Sequence, residues 1–441
     1  MLSDLWVVLF LVMLIVGIIA AQPFVLVLGV VGFLVGGVAR VWSRLSLEDV
    51  DYTRTVASDP LFVGDEFEME LAVSNRKPLP MPWLRISDTV PIGLEVVGAR
   101  MTHTASRIAL ALTESLSLAW YERVRITYRV KALRRGYHQI GPARLTSGDL
   151  FGMFVSTREQ SRRDAVMVYP QTVELPDLDF PSSRPLGEAR STASLWQDPN
   201  RPQGLREYRA GDALKTVDWK ATARLRSLFV RTYEPRVSQY LVLLLDVATT
   251  DRLYEGYVPR LLERLVTGAA SVTLRARDLG YQVGLMANGV ALRSDASMVV
   301  PPSAGRDQLA AVMTALAMVR PVAPERLEQL VGREGAALPF GSTLVLISAV
   351  MGRPLLDAVE RLTARGHPAM ALYVGRDALP HGSSRLPVLD MRDRFDLPIA
   401  DPPPAVEDGG DRGRGGRDRP DLDLDMDAGH AVSGDIRDVI F

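Results

Sequence analysis

The residues best suited to bind a partner or to do chemistry lie in one stretch near the middle of the chain, from Gln203 to Arg224. Charged, aromatic and turn-forming residues occur together here, and both signs of charge recur within a few turns of chain. We select as candidate binding residues Arg206, Glu207, Tyr208, Gly211, Asp212, Asp218, Trp219, Lys220 and Arg224. Their charges could pair with one another as a structural network or face a partner, and the sequence leaves both interpretations open.

The local structure of this stretch follows from its residue types. Gly211 and Asp212 form a turn signal. Asp218 can accept hydrogen bonds from backbone N–H groups two or three residues later, so it is predicted to cap a short helix. A strand is predicted from Ser227 onward. We expect the candidate residues to hold the domain that follows against the one that precedes, with part of their surface open to a partner. Trp219 is the expected anchor, because large aromatic side chains dominate buried contacts.

This stretch resembles the signature of the domain-of-unknown-function family number 58. That signature reads roughly Leu-Arg-Glu-Tyr-x-x-Gly-Asp, then Ile/Val-Asp-Trp-Lys-x-x-Ala-Arg, then an apolar strand that ends in Asp. The matching residues are 205–208, 211–212, 217–220, 223–224 and 241–246. The resemblance implies no established catalytic activity. It implies a membrane protein with a von Willebrand factor A-like domain that works beside a MoxR-type AAA+ ATPase.

A second candidate site follows the apolar strand that ends at Asp246, because α/β sheets bind ligands at the carboxyl ends of their strands. In von Willebrand factor A-like domains this position opens a loop of the type Asp-x-Ser-x-Ser, which holds Mg²⁺ in a shell of oxygen atoms. Here Asp246 and Thr250 could be metal ligands, whereas Ala248 could not. Ser348 keeps one oxygen on a later strand, but Ala349 stands where such domains often supply a second Asp. We therefore expect a degenerate site with weak or no Mg²⁺ binding, and no other cofactor.

The sequence argues against most enzyme classes. It contains no Gly-x4-Gly-Lys-Ser/Thr loop for ATP hydrolysis and no Gly-x-Ser-x-Gly nucleophile turn. The five histidines have no metal-ligand spacing, and the absence of cysteine excludes thiolate catalysis and disulfides. A net charge of −1 gives no indication of nucleic acid as a partner. A Ser–His–Asp arrangement assembled only in space stays open.

The elements that must position these residues begin with residues 1–44, which are predicted to form a transmembrane hairpin. Two apolar runs, Leu2 to Ala21 and Pro23 to Trp42, are each about 20 residues long, which spans a hydrocarbon core of roughly 30 Å. Small residues should let the two helices approach closely; these are Gly29, Gly32, Gly36 and Gly37. A signal peptide is the weaker alternative, because no basic segment precedes the first run.

Basic residues at the end of the second run predict the orientation. Arg40, Arg44 and Arg54 lie at or just after this helix, and the turn between the helices carries no charge. Positive charge favours the cytoplasmic side of a membrane. We therefore expect a multi-pass protein of the inner (cytoplasmic) membrane, with its soluble domains in the cytoplasm.

Residues 50–170 are predicted to form an antiparallel β-sandwich. Residues 67–73 and 124–130 alternate between apolar and polar, and turn residues separate such segments. Two glycine-containing segments, Arg-Arg-Gly-Tyr at 134–137 and Gly-Asp-Leu-Phe-Gly at 148–152, also resemble the pattern of the same family. We interpret both as turns and assign them no ligand.

The remaining units are a connector over residues 171–225, an α/β domain over 226–378, and a tail over 400–441. The connector is expected to be irregular up to Gln203, where the central stretch begins. In the α/β domain, a continuous apolar strand from Tyr240 to Leu245 is followed by an amphipathic helix from Val258 to Leu279, which Gly280 closes. Further strands are predicted from Gln282 to Ala287 and from Thr343 to Ser348, and this alternation of strands and helices is typical of a doubly wound fold. The tail is rich in Pro, Gly, Asp and Arg and is predicted to be disordered. The predicted fold class is thus a transmembrane hairpin, an antiparallel β-sandwich, a doubly wound von Willebrand factor A-like α/β domain and a disordered tail.

Three functional hypotheses follow. The first is a membrane-anchored scaffold or adaptor without enzymatic activity, which binds a MoxR-type AAA+ ATPase through the central stretch. The second is a hydrolase acting on envelope material, with an unrecognised site near that stretch. The third is an extracellular adhesin-like sandwich. The membrane orientation separates the first from the third, and loss of activity on a change such as Asp212→Asn would favour the second.

Overall fold

The computed structural model describes residues 5–99, 101–104, 108–181, 197–208, 217–235, 239–250, 256–291, 294, 296–377 and 386–395. It gives the backbone alone for residues 5–7, 197–204, 225 and 231–235. The described residues all belong to one compact unit. The predicted tail over 400–441 lies outside the described residues.

The described chain begins with two apolar helices that pack antiparallel, α1 (Leu5–Ile19) and α2 (Pro23–Ser46). Pro23 starts α2, where its missing N–H would have no partner in any case. Among the described helices, α2 alone is long and apolar enough to cross a membrane, whereas α1 has 15 residues. The described part of the chain therefore carries one candidate membrane-spanning helix, near the N-terminus.

Glycines bring α1 and α2 close together. A Cβ atom on Gly29 would lie 2.7 Å from the backbone nitrogen of Leu14, and one on Gly32 would overlap the ring of Phe10. The prediction that Gly37 belongs to this face is wrong, because nothing lies within 4 Å of its Cβ position. Successive helical residues point about 100° apart, since 3.6 residues make a turn, so Gly36 and Gly37 cannot both face the same neighbour.

The domain that follows α2 is built almost entirely from antiparallel strands. Its strands are β1 (Val50–Thr55), β2 (Leu61–Phe62), β3 (Glu66–Asn75), β4 (Met81–Pro91), β5 (Leu94–Val96), β6 (Met101–His103), β7 (Ala109–Leu118), β8 (Arg123–Ala132), β9 (Gly136–Ile140), β10 (Ala143–Gly148), β11 (Val155–Gln160) and β12 (Asp164–Tyr169). They form sheets with the orders β1-β3-β8-β5, β11-β10-β4-β7-β6 and β2-β12-β9, and the short β2–β12 pair is parallel. Apolar side chains such as Met69, Leu84 and Leu145 fill one shared core, because alternate residues of each strand point inward.

Arg54 belongs to this core and not to the membrane-flanking charges, so its use in predicting the orientation was wrong. Its side chain is 2% exposed, and its Nη1 lies 2.6 Å from both carboxylate oxygens of Asp88. Its Nε donates to Asp164 at 2.8 Å, and its Nη2 donates to the carbonyl of Ile140 at 2.6 Å. A buried charge needs such partners, and here they tie β1 to β4, β12 and the end of β9.

The central stretch forms a small unit of its own. It contains β13 (Gln197–Glu207), α3 (Trp219–Leu225) and β14 (Phe229–Pro235), and the two strands pair antiparallel. We call residues 197–208 and 217–235 the central hairpin. The predicted connector was expected to be irregular up to Gln203, but β13 begins at Gln197, because its strand pairs with β14 across a register shift at Pro202.

The second large domain alternates strands and helices. Its elements are β15 (Tyr240–Leu245), α4 (Pro259–Asp278), β16 (Gln282–Val290), β17 (Ser297–Val300), α5 (Gln308–Met318), α6 (Leu327–Glu334), a 3₁₀ turn (Gly335–Ala337), β18 (Thr343–Ser348), α7 (Arg353–Ala364), β19 (Ala369–Tyr373) and β20 (Val388–Asp390). The sheet order is β17-β16-β15-β18-β19-β20, with β17 alone antiparallel to its neighbour. One face of the sheet packs on α4 and α5 and the other on α6 and α7. This is a mostly parallel sheet covered on both faces, as its continuous apolar strands predict.

The α/β domain extends beyond residue 378, where its end was predicted. Leu386, Met391 and Phe395 are buried in its cores, and β20 adds a sixth strand. The ring of Phe395 lies 3.0 Å from the position that a Cβ on Gly268 of α4 would take. Residues before the domain also contribute, because Leu175 and Leu178 of the predicted connector are buried against the same core.

The junction between α2 and the β-rich domain is fixed by hydrogen bonds. Lys77 Nζ donates to the carbonyls of Ser46 and Glu48 at 2.7 and 2.5 Å, and Ser156 Oγ donates to the carbonyl of Ser43 at 2.7 Å. Arg158 Nη1 donates to the carbonyl of Leu47 at 2.9 Å. The last carbonyls of a helix have no partner within it, and the β-rich domain supplies donors to them. These hydrogen bonds therefore hold the end of α2 in a fixed position on the β-rich domain.

Candidate functional site

The central hairpin is held together by its own backbone. Arg206 pairs with Val230 and Glu207 with Phe229 in the β13–β14 register. Beyond the strand, the N–H of Tyr208 donates to the carbonyl of Leu228 at 2.8 Å. The chain returns through Val217, which forms an antiparallel bridge with Val230. The motif residues therefore lie on a compact strand–helix–strand unit.

Asp218 caps α3 as predicted. Its Oδ1 accepts hydrogen bonds from the N–H groups of Lys220 and Ala221, both at 3.0 Å. Arg226 ends the helix with a φ of 60°. Thr222 on α3 accepts a hydrogen bond from the N–H of Phe229 at 3.1 Å, which fixes the helix to the strand that follows. The short helix is thus held by side chains within the motif itself.

The candidate side chains of the central hairpin face solvent. Trp219 is 66% exposed, and Arg206, Glu207, Lys220 and Arg224 are also exposed. None of these five side chains is buried between the two domains, so the expectation that Trp219 anchors one domain against the other is wrong. Tyr208 is half-buried. The candidates Gly211 and Asp212 lie outside the described residues.

The carboxyl ends of three strands meet at Asp246, which directly follows β15. Its Oδ1 accepts from the Ala248 N–H at 3.1 Å and from Asn288 Nδ2 at 2.8 Å, and its Oδ2 lies 3.1 Å from Ser348 Oγ. Asn288 lies on β16 and Ser348 ends β18. The side chain of Asp246 is buried, and this burial raises the pKa of its carboxyl group above the ordinary value of 3.8, despite the three hydrogen bonds that oppose the shift.

These contacts suit a carboxyl group that accepts hydrogen bonds from the protein better than one that binds a metal ion. Both oxygens of Asp246 already meet donors of the protein, and N–H groups would repel a cation. The hydroxyl of Thr250 donates to the carbonyl of Gly256 at 3.1 Å. Within the described ranges, no three His, Cys, Asp or Glu side chains are grouped so as to hold a metal ion. The donor set therefore does not fit Mg²⁺, and weak or absent binding stays a prediction.

A cleft of about 320 Å³ opens above Asp246. Asp246, Thr250 and Asn288 line it on one side, and Glu325 and Glu328 on the other. Asn288 was missed by the sequence interpretation, because the strand was predicted to end at Ala287. The signal was present, since an amide in an otherwise apolar strand needs a partner when it is buried.

Arg135 joins the two large domains. It lies just before β9, and its guanidinium group pairs with Glu263 of α4. Its Nη2 also donates to the carbonyl of Val319 at 3.3 Å. The side chain is 7% exposed. The Arg-Arg-Gly-Tyr segment was interpreted as a turn alone, and the structure adds this contact between domains.

Comparison with known proteins supports the resemblance found in the central stretch. Residues 204–379 match the family described as "Protein of unknown function DUF58", and this range includes β14, α3 and the Asp246 cleft. A curated relative is the uncharacterized protein YeaD of Bacillus subtilis (strain 168). It is 25% identical over 252 residues, which cover 55% of this chain and 57% of YeaD. The match thus spans little more than half of that relative's length.

Solved structures give only distant likenesses. A CARDB domain from Pyrococcus furiosus, in complex with di-metal ions, is 19% identical with a TM-score of 0.19; it covers 29% of this chain and 95% of that domain. A cohesin module from a Clostridium perfringens family 33 glycoside hydrolase is 12% identical with a TM-score of 0.19; it covers 26% of this chain and 96% of the module. Likenesses at this level define neither fold nor function here.

Proposed function

We propose that this protein is a membrane-anchored scaffold that binds another protein through the central hairpin. The observation that carries this proposal is the exposure of Trp219 on a unit that contributes no described residue to the three apolar cores. Leu205 and Leu228 are also exposed on the same unit. Large apolar side chains exposed together are typical of binding surfaces.

The composition of this surface favours a protein partner. Tryptophan and arginine are the residues that most often carry the binding energy of protein interfaces. Here Trp219 is accompanied by Arg206, Arg224, Lys220 and Glu207, which offer both signs of charge for pairing across an interface.

The partner that we propose is a MoxR-type AAA+ ATPase. This follows from the resemblance of the central stretch to family number 58. We further propose that a von Willebrand factor A-like fold describes the α/β domain, since its mostly parallel sheet has helices on both faces and Asp246 at the end of its first strand. In this view the central hairpin provides the binding surface, and the degenerate metal loop of the α/β domain has become structural.

We also propose that α1 and α2 both cross the membrane and that the soluble domains are cytoplasmic. The close packing of the two apolar helices supports the first point. Exposed Arg44 and half-buried Arg40 at the end of α2 support the second, even without Arg54.

The envelope hydrolase remains the weaker candidate. Of the described histidines, His138 donates a hydrogen bond from Nε2 to the carbonyl of Arg134, and none is hydrogen-bonded to a serine hydroxyl or a carboxylate in the described part of the chain. A nucleophile activated by an adjacent base needs such contacts. No specific observation therefore favours a hydrolase.

Capture from native membranes tests the proposal. The tagged full-length protein, solubilised in detergent, should retain an AAA+ ATPase that mass spectrometry identifies. Trp219→Ala should abolish this capture while the Tm changes by a few degrees at most, because exposed substitutions usually cost about 0.5 kcal/mol or less.

The matched control is Phe340→Ala, since Phe340 is 88% exposed on the α/β domain but far along the chain from the hairpin. It should leave capture unchanged. If Trp219→Ala captured the ATPase as well as the unchanged protein does, or lost it only by unfolding, the hairpin would not be the binding surface.

A further inference from the structure

Two loops of the β-rich domain expose large apolar side chains. Leu150 and Phe151 are 70% and 68% exposed, and Trp120 and Tyr121 are 66% and 67% exposed. We call these four residues the apolar rim. Single exposed apolar residues are common, but a cluster of large ones marks a surface that something apolar covers.

The loop that carries Leu150 and Phe151 is built to present them. Asp149 is buried, and its two carboxylate oxygens accept hydrogen bonds from the N–H groups of Phe151 at 2.9 Å and Phe154 at 2.6 Å. Trp83 Nε1 donates to the carbonyl of Asp149 at 3.1 Å. These contacts fix the conformation of the turn. The fold therefore holds the side chains of Leu150 and Phe151 in outward-facing positions.

The second loop is braced in a similar way. Asn75 Nδ2 donates to the carbonyl of Ala119 at 2.8 Å, and the N–H of Ala119 donates to Glu122 at 2.6 Å. Between these residues, Trp120 and Tyr121 stand outward, with Tyr121 at a φ of 54°. Tryptophan and tyrosine are the residues that favour the boundary between lipid and water.

Both loops lie beside the candidate membrane helix. Together with α2, they line an apolar groove of about 680 Å³, whose wall on the helix runs from Leu34 to Trp42. At a rise of 1.5 Å per residue, this stretch of α2 is about 12 Å long. The groove therefore lies along the last part of the apolar span and not beyond its end.

The position of the apolar rim along the axis of α2 is fixed. Lys77, Ser156 and Arg158 hold the end of α2 to the β-rich domain through the hydrogen bonds described above. On α2, Leu34 and Val38 in the wall of this groove are apolar and 61% and 62% exposed, and Val31, which does not line the groove, is 53% exposed. A bilayer that covers these residues must also reach the rim.

We propose that the apolar rim is immersed in the interfacial layer of the bilayer and that the groove between α2 and the β-rich domain receives an acyl chain of a membrane lipid. The occupant is a bilayer lipid because the groove is continuous with the lipid-facing side of α2, and because most of the residues that line it are apolar. This inference rests on the membrane anchoring proposed above. It assigns a role to the Gly-Asp-Leu-Phe-Gly segment, which the sequence showed only as a turn.

The absence of cysteine allows a direct test in the full-length protein. Phe151→Cys carries an environment-sensitive fluorophore, and the protein is placed in vesicles of phosphatidylcholine and phosphatidylglycerol that contain spin-labelled, quenching lipids. We expect this label to be quenched several-fold more than a label at Phe340→Cys on the α/β domain. A label at Val31→Cys, exposed on α2, reports membrane insertion.

The outcomes separate this inference from the anchoring on which it rests. Quenching at positions 151 and 31 but not at 340 supports the inference, since no protein partner is present in the vesicles. Quenching at position 31 alone would overturn it and leave the anchoring intact. Absence of quenching at both positions would overturn the anchoring and this inference together.

Discussion

At the scale of single residues, the charges that look alike in the sequence play different parts. Arg44 is exposed at the end of α2, whereas Arg54, ten positions later, is buried in an ion cluster. Asp88 and Asp164 compensate its charge, and Tyr52 donates to Asp88 at 2.7 Å. A buried charge of this kind is a structural element of the β-rich domain.

Replacing Arg54 should therefore be costly. Arg54→Ala leaves Asp88 buried without its partner, which typically costs about 3–5 kcal/mol. For a domain of this size this corresponds to a fall in Tm of at least about 6 °C, measured by circular dichroism on the full-length protein in detergent. The control is Arg76→Ala, because Arg76 is 70% exposed and pairs with exposed Asp51. It should cost about 1 kcal/mol or less. Equal effects of the two changes would show that the buried cluster contributes no more than a surface pair.

At the scale of elements, the ends of β15, β16 and β18 are joined by Asp246, Asn288 and Ser348. Parallel strands bring their carboxyl ends to the same edge of a sheet, which is why residues far apart in the chain meet here. The same edge carries the cleft that Glu325 and Glu328 line from the other side. Hydrogen bonds to the Asp246 carboxyl group from Asn288 and Ser348 join the three strand ends.

The raised pKa of Asp246 predicts a pH dependence of stability. Because the folded state holds this proton more tightly than the unfolded chain, the stabilisation is full below the ordinary pKa of 3.8 and is lost as pH rises through the folded pKa. Asp246→Asn keeps the acceptor for Ala248 and Asn288 and can donate to Ser348. We expect this variant to show a higher Tm than the unchanged protein at neutral pH, and the difference should vanish towards pH 4 in thermal scans.

The same scans test the metal prediction. Added Mg²⁺ should leave the Tm of both proteins unchanged. A rise in Tm with Mg²⁺ that occurs only when Asp246 is present would show that the carboxylate binds the ion, and it would overturn the structural interpretation of this loop.

At the scale of the whole molecule, the structure consists of α1 and α2, a β-rich domain attached rigidly to α2, and an α/β domain that packs against it. Arg135 with Glu263 and the packing of Leu175 and Leu178 connect the two large domains. An orientation that is set by α2 at the membrane is therefore shared by both large domains.

The proposed topology predicts which positions are accessible from outside an intact cell. In the cysteine-free chain, Phe340→Cys should not react with a membrane-impermeant maleimide until the cells are permeabilised. Gln22→Cys, in the turn between α1 and α2, should react in intact cells if both helices cross. Labelling of position 340 in intact cells would favour the extracellular adhesin, and failure to label position 22 would show that α1 does not cross.

Features that depend on neighbouring residues could be predicted from the sequence. The strands Tyr240–Leu245 and Thr343–Ser348 were predicted with the bounds that the structure shows, since continuous apolar runs leave little choice. The cap at Asp218 was likewise predictable, because it joins residues two and three positions apart. The end of α4 followed from Gly280, whose φ of 84° suits glycine best.

Contacts between distant residues, and the exposure of particular side chains, could not be predicted, because they depend on how the elements pack. Asp246 and Ser348 are 102 positions apart, and Arg54 and Asp164 are 110 apart. Periodicity shows that a residue faces inward but not which partner it finds there. The exposure of Trp219 and the position of Leu150 and Phe151 beside α2 depend in the same way on how whole elements pack. Caps, turns and strands depend on short segments of the sequence, whereas the burial of a side chain depends on the whole fold.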